Sequence, residues 1–330
     1  MTDASTKPRA GATAPGTGRA ARELAWGPSL LMAAALVALL SLTWLLSGDL
    51  VAHADPFAVA AGRAGTSCVG LSLLAAARRT TRRPALEVAR GRPRAVAALG
   101  ALGVFGYSMA SVWAIGLIGA ATTNVVLALL PCVTFVLGLW LFRERPGMTA
   151  LVGTCVAAAA AVAYGLLDRG SGFGIRGGVT PTRALIGVLA AVAAMVSMAL
   201  YAHFYGKLAP DVSSVVALPS VFAAGAVMLL LPALARNSFG HLTLVQWGQI
   251  LLLGCGVYVP AYVIQHELFL RRGALFTTSV SLAVPFTVRF CTWGLGKAAR
   301  PSLLATALLL TCCVGVFLTM ARSGTRSPRS

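Results

Sequence analysis

Two arginines stand inside otherwise apolar stretches of the sequence. Arg63 follows Pro56 by about two helical turns, and Arg289 lies in the run Thr-Val-Arg-Phe-Cys. An intramembrane charge costs at least about 2.5 to 3.5 kcal/mol unless it is paired or hydrated, and a guanidinium binds planar oxyanions bidentately. If both arginines line one cavity, they predict an anionic or carboxylate-bearing substrate. A packing or topology role remains an alternative for Arg63, and bonds to helix carbonyls remain one for Arg289.

Tyrosines and small polar residues recur at helical spacing. Tyr258 and Tyr262 share one helix face and either line a cavity or pack in the core. Tyr205 and His266 fit an aromatic belt at the membrane interface. The other substrate-binding candidates, which can equally bond neighbouring helices or their own carbonyls, are Thr123, Asn124, Thr277 and Thr278.

Prolines and one glutamate complete the set of candidates. Pro131, Pro260 and Pro285 predict helix bends, since proline cannot donate to the carbonyl one turn earlier and clashes with it. Glu144 lies between two arginines at the end of an apolar block, where a local salt bridge or a gate would explain it. None of the nine acids lies at the centre of an apolar block, so the coupling ion stays open.

The composition places these residues in a membrane. Apolar residues make up 58% of the chain and charged residues 11%, whereas a soluble domain carries about 25% charge. Apolar blocks of about 20 residues must be helices, because lipid cannot satisfy backbone polar groups. The predicted fold is an all-α polytopic membrane protein with ten transmembrane helices, at 29–47, 57–77, 95–117, 120–142, 147–167, 184–206, 213–235, 246–266, 274–295 and 302–321.

The basic residues predict the orientation. There are 27 Lys and Arg against 9 Asp and Glu, and most lie in the segments that share a side with the N-terminus. Both termini are therefore expected in the cytoplasm, and the charge requires no nucleic-acid partner. The excess of Arg over Lys hints at a bacterial plasma membrane. Ala52-His53-Ala54 resembles a signal-peptidase site, but the block before it is long for a signal peptide, so it is kept as a helix.

Two segments of the sequence repeat one plan. Residues 120–145 and 273–300 each carry a Thr pair, a mid-helix proline and a charged end. Each half then holds five helices, an odd number, so the second repeat is inverted relative to the first, as in many secondary transporters. Chance similarity of two Leu-rich helices is the alternative. The predicted organisation is a disordered cytoplasmic segment 1–25, a first repeat 26–167, an outer linker 168–183, a second repeat 184–321 and a cytoplasmic tail 322–330.

Asp55-Pro56 followed by Arg63, and the stretch 112–164 with its mid-helix Pro131 and Glu144, resemble the ten-helix EamA-type members of the drug/metabolite transporter superfamily. The second half departs from this pattern, since Ala298 stands where a Glu would follow Pro285. The resemblance implies a secondary transporter that exports a small metabolite or drug by alternating access. It also implies a central cavity enclosed by helices one to four and six to nine.

An intramembrane enzyme and a non-transporting scaffold are the other classes. His266-Glu267 lacks the second His of a zinc protease motif, and neither a nucleophile elbow nor a P-loop occurs. We therefore expect no enzyme, no metal and no cofactor. The expected partners are a small-molecule substrate, the lipid bilayer and, through faces of small residues, a second copy of the chain in a homodimer.

Overall fold

The computed structural model describes residues 26–77, 87–88, 90–143, 147–167, 180–208, 212–296 and 300–320. Within these ranges the chain forms helices and turns with no strand, which confirms the all-α prediction. The helices are α1 (Trp26–His53), α2 (Pro56–Ala77), α3 (Pro93–Ile118), α4 (Ala120–Leu127), α5 (Leu130–Trp140), α6 (Met148–Leu167), α7 (Pro181–Leu208), α8 (Ser214–Ala235), α9 (Leu244–Arg272), α10 (Ala274–Gly294) and α11 (Leu303–Met320). The expectations for 1–25, Glu144, 168–179 and 322–330 fall outside the described residues.

The described part of the chain has eight helices long and apolar enough to cross a membrane. They are α1, α2, α3 and α6 to α10, and α5 and α11 are shorter apolar helices. Large apolar side chains such as Leu31, Trp140 and Leu303 are exposed on the outside of the bundle. Such a surface suits lipid and not water, so the protein is a multi-pass membrane protein.

The predicted helix at 120–142 is two helices in the structure. α4 ends at Leu127, and α5 begins at Leu130 with Pro131 in its first turn. The backbone tightens at this point, since the N–H of Leu129 donates to the carbonyl of Val126 three residues earlier. Pro131 has no N–H for the carbonyl one turn before it, and its ring would clash there in an unbroken α-helix.

Two other helices are irregular beside a proline. α9 contains a π-helical segment, Leu252–Tyr258, with Pro260 two residues after it. α10 contains a short 3₁₀ segment, Ser281–Ala283, just before Pro285. α3 carries a π-helical segment as well, Gly100–Gly106, although no proline lies beside it.

Single glycines turn the chain from α3 into α4 and from α9 into α10. Gly119 and Gly273 have φ angles of 82° and 87°, a conformation that glycine adopts without the Cβ penalty. The hydroxyl of Thr123 donates to the carbonyl of Gly119 at 2.7 Å, and that of Thr277 donates to the carbonyl of Gly273 at 2.9 Å. Each of the two turns therefore consists of a glycine with a positive φ angle and a threonine, four residues later, that donates to the glycine carbonyl.

Most of the helices pack in pairs that join the first part of the chain to the second. α2 packs on α8, α6 on α11 and α5 on α10, while α3 packs on α7 and α1 on α9. Glycines allow the closest approaches: a Cβ at Gly100 of α3 would lie 2.8 Å from the carbonyl oxygen of Val221 on α8. A Cβ at Gly254 of α9 would likewise lie 3.0 Å from the carbonyl oxygen of Arg63 on α2.

The start of α9 gives a first testable prediction. The hydroxyl of Thr243 accepts from the N–H of Gln246, and the Gln246 side chain accepts from the N–H of Thr243, which forms a capping box. We expect Thr243→Ala to lower the free energy of unfolding by about 1 kcal/mol. Thermal unfolding in detergent would measure this. Thr306→Ala is the control, because the exposed Thr306 hydroxyl donates only to the carbonyl of Ser302, four residues earlier, and its loss should change stability by less than about 0.5 kcal/mol.

Candidate functional site

A cavity of about 120 Å³ lies inside the bundle. Its lining comes from α1, α2, α3, α4, α5, α7, α9 and α10, so helices from both parts of the chain enclose it. The lining includes the predicted residues Arg63, Asn124, Tyr258, Tyr262 and Pro285. Four sequence candidates for binding, from α2, α4 and α9, thus lie around one space.

Arg63 is held in place by the start of α2. The Oδ1 atom of Asp55 accepts a hydrogen bond from the N–H of Phe57 at 2.9 Å, which caps the helix, and Pro56 occupies its first position. Arg63 follows about 10 Å further along the helix axis. Gly62 beside it leaves room for the side chain of Ile250 on α9. The Asp-Pro pair of the sequence therefore sets the depth of the arginine in the bundle.

The Arg63 guanidinium is buried and bonded to neutral oxygens. Nη1 donates to the Tyr258 hydroxyl at 2.8 Å, and Nη2 donates to the Ser108 hydroxyl at 3.1 Å. Its Cζ atom also lies 4.5 Å from the centroid of the Tyr258 ring. No carboxylate among the described residues forms an ion pair with it. The cavity therefore carries a positive charge.

The tyrosines of α9 form one wall of the cavity. The rings of Tyr258 and Tyr262 lie 5.1 Å apart at an angle of 34°. Tyr107, at the end of the π segment of α3, also lines the cavity, as do Trp44 and Ser111. These last three were not predicted from the sequence. The run Tyr107-Ser108 inside an apolar helix was the signal that would have pointed to α3.

Four other candidates are buried away from this cavity. Thr123 and Thr277 bond the carbonyls of the two glycine turns, and Thr278 bonds the carbonyl of Ala274 at 2.9 Å. Arg289 is buried in α10 and is not among the residues that line the cavity. Only one of the two predicted guanidiniums therefore faces this space.

A second buried polar group lies next to the cavity wall. The His266 ring accepts a hydrogen bond at Nε2 from the Tyr201 hydroxyl, and its Nδ1 donates to the carbonyl of Tyr262 at 2.6 Å. The carbonyl can only accept, which assigns the proton to Nδ1 and leaves Nε2 as the acceptor. Tyr205 and His266 are both fully buried, so the expectation of an interfacial aromatic belt is wrong for them.

Metal-ligating side chains do not cluster in the described residues. No group of three or more His, Cys, Asp or Glu side chains lies close enough there to hold a metal ion. The chemistry of the cavity rests on hydroxyls, amides, aromatic rings and one guanidinium. Such a lining offers hydrogen bonds and apolar contacts.

Apolar spans around an internal, mostly apolar cavity that holds one guanidinium define the class of protein as a polytopic membrane protein with an internal cavity. Residues 27–165 match the EamA-like transporter family, which confirms the resemblance predicted from the sequence over that part of the chain. That family is described as one of transporters, and the match lies in the first half of the chain.

A solved structure shares the fold of this chain. A solved structure titled only "Crystal structure of protein" matches with a TM-score of 0.72 at 21% sequence identity. The match covers 89% of this chain and 96% of the other. At this identity the similarity establishes the fold alone. No curated protein matches the sequence.

Proposed function

We propose that the protein is a secondary transporter that exports a small metabolite or drug by alternating access. The observation that carries this proposal is the cavity with a buried guanidinium, enclosed by helices from both parts of the chain. α4 and α5 together would form one span and α11 another, giving ten. The chain would lie in a bacterial plasma membrane with both termini in the cytoplasm, as the distribution of Lys and Arg predicts.

The helix pairs support two inverted five-helix repeats, 26–167 and 184–321. A two-fold axis that exchanges the halves would superpose the α3–α7 contact on the α9–α1 contact. The other three contacts, α2–α8, α5–α10 and α6–α11, would each be superposed on themselves. The glycine turns at Gly119 and Gly273 follow corresponding helices of the two halves, α3 and α9, and each of these helices contains a π segment. Inverted repeats place substrate sites near the midplane, at the repeat interface.

Broken helices at the cavity support alternating access. Asn124 and Ala128 line the cavity where α4 gives way to α5, and Ser281 and Pro285 line it at the irregular point of α10. Hinge motion is concentrated where a helix is interrupted, because few residues there absorb the change in dihedral angles. The two interruptions would let each half open one side of the site in turn.

Solute flux into proteoliposomes tests this function. The purified chain should move at least one of a panel of anionic, neutral and cationic small solutes, screened with and without a pH gradient. Thr43→Trp, which fills the cavity from α1, should lower that flux at least tenfold. Leu31→Trp on the lipid-facing side of the same helix is the matched control and should leave flux unchanged. Equal flux in the two variants, or no flux of any solute, would contradict the proposal.

A further inference from the structure

We infer that the cavity binds a small monocarboxylate whose remaining atoms are apolar, and that the guanidinium of Arg63 holds its carboxylate. The inference deepens the proposed transport function by naming the substrate class of the same site. Three features carry it: the charge of the lining, the unused donors of Arg63, and the size and apolar character of the walls.

The charge of the lining selects an anion. Arg63 is the one charged side chain among the described residues that line the cavity. The other polar groups there are neutral hydroxyls and amides, such as those of Thr43, Asn124 and Gln265. A buried charge with no ion-pair partner is stabilised most by a ligand of opposite sign. A cationic solute would add a second positive charge beside the first.

The donors of Arg63 favour a carboxylate. A guanidinium has five N–H groups, and the structure assigns one from Nη1 to Tyr258 and one from Nη2 to Ser108. The remaining donors match the two oxygens of a carboxylate, which guanidinium binds in a planar, bidentate arrangement. A phosphate group carries about −1.5 to −2 charges at neutral pH, which one guanidinium does not balance. A second carboxylate on the ligand would meet no second cation in the described lining.

The walls favour an apolar body of about one ring. Beyond Arg63, the lining is mostly aliphatic and aromatic, with the rings of Trp44, Tyr107 and Tyr262 around the space. The cavity of about 120 Å³ is somewhat smaller than the engineered cavity of about 150 Å³ that binds benzene in another protein, so one ring is the upper limit for the apolar body. Butyrate and benzoate are therefore suitable probes of this chemistry.

The Tyr258 hydroxyl competes with the ligand for Arg63. It accepts one N–H of Nη1 at 2.8 Å. A carboxylate can use the remaining donors beside it, but a carboxylate that also takes this N–H must displace the hydroxyl. Removing the hydroxyl in Tyr258→Phe should therefore tighten carboxylate binding severalfold. If Arg63 and Tyr258 formed only a structural link between α2 and α9, the same substitution would lower stability and leave affinity unchanged.

Ligand-dependent thermal unfolding of the full chain in detergent tests the inference. Benzoate and butyrate should raise Tm saturably, whereas benzamide, benzylammonium and inorganic phosphate should bind at least tenfold more weakly. Arg63→Gln should weaken benzoate binding by about tenfold or more and leave benzamide unchanged. Arg236→Gln is the matched control, because that exposed arginine stacks on Phe57 outside the cavity and its loss should not alter binding.

Each outcome decides a defined part of the inference. Equal binding of benzoate and benzamide by the unmodified protein overturns the substrate class, even if Arg63→Gln fails to fold. Unchanged benzoate affinity in a folded Arg63→Gln protein overturns the role of Arg63, and unchanged affinity in Tyr258→Phe overturns the competition. Benzoate binding without flux of any solute would count against transport alone. Flux of neutral or cationic solutes without carboxylate binding would count against the substrate class alone.

Discussion

Gly315→Val should separate α6 from α11 and lower the free energy of unfolding by about 3 kcal/mol, the upper part of the usual range for overpacking. A Cβ at Gly315 would lie 2.6 Å from the backbone nitrogen of Ala157 and 2.7 Å from the carbonyl oxygen of Gly153. A Cβ at Gly153 would in turn lie 2.5 Å from the carbonyl oxygen of Gly315. Backbone atoms cannot rotate aside as a side chain does, so the helices must move apart.

Denaturant unfolding in detergent micelles, with the yield of monodisperse protein, would measure this loss. Gly116→Val provides the control, because a Cβ at that exposed position of α3 meets nothing within 4 Å. Its effect should stay below about 1 kcal/mol, since valine is a somewhat better helix former than glycine. A Gly315→Val protein as stable as the Gly116→Val protein would show that the α6–α11 contact is looser than the structure has it.

His266→Leu should lower the free energy of unfolding by about 2 to 3 kcal/mol. Leucine is close in size but offers no acceptor to the buried Tyr201 hydroxyl and no side-chain donor to the carbonyl of Tyr262. A buried hydrogen-bonding group left without a partner costs about 1 to 3 kcal/mol.

The double variant Tyr201→Phe with His266→Leu distinguishes this cause from lost packing. Removing both partners of a hydrogen bond is far less costly than removing one, so the double variant should be more stable than His266→Leu alone. Purely additive losses in a double-mutant cycle would refute the hydrogen-bond explanation. His241→Leu, at an exposed position between α8 and α9, should change stability by less than about 0.5 kcal/mol.

The sequence predicted the helices well because a lipid environment imposes both length and secondary structure. The predicted spans 57–77 and 213–235 differ from α2 and α8 by one residue at their ends. The predicted span 120–142 was wrong as a single helix, although Pro131 was recognised as a bend. A proline shows that a helix is disturbed, but the packing around it decides whether the helix bends or breaks.

The sequence was less informative about which way a side chain faces. The sequence predicts that both Arg63 and Arg289 lie within membrane-spanning segments, and both are buried. Only Arg63 lines the cavity, because depth along a helix says nothing about the angle around its axis. The same limit explains Tyr205 and His266, whose position near a helix end suggested a membrane interface while their helix faces point into the bundle.

The π segments have a consequence for the energetics of the two halves. In α3, the twelve residues Tyr107–Ile118 lie between the π segment and the glycine turn. In α9, the fourteen residues Val259–Arg272 lie between them. Since each helical residue advances the side-chain direction by about 100°, two extra residues turn it by about 200°. An ideal two-fold axis would make opposite-facing conformations of a transporter equal in free energy. In the proposed alternating-access cycle this difference in phase would remove that equality, and one facing direction would be the resting state before any solute or gradient is present.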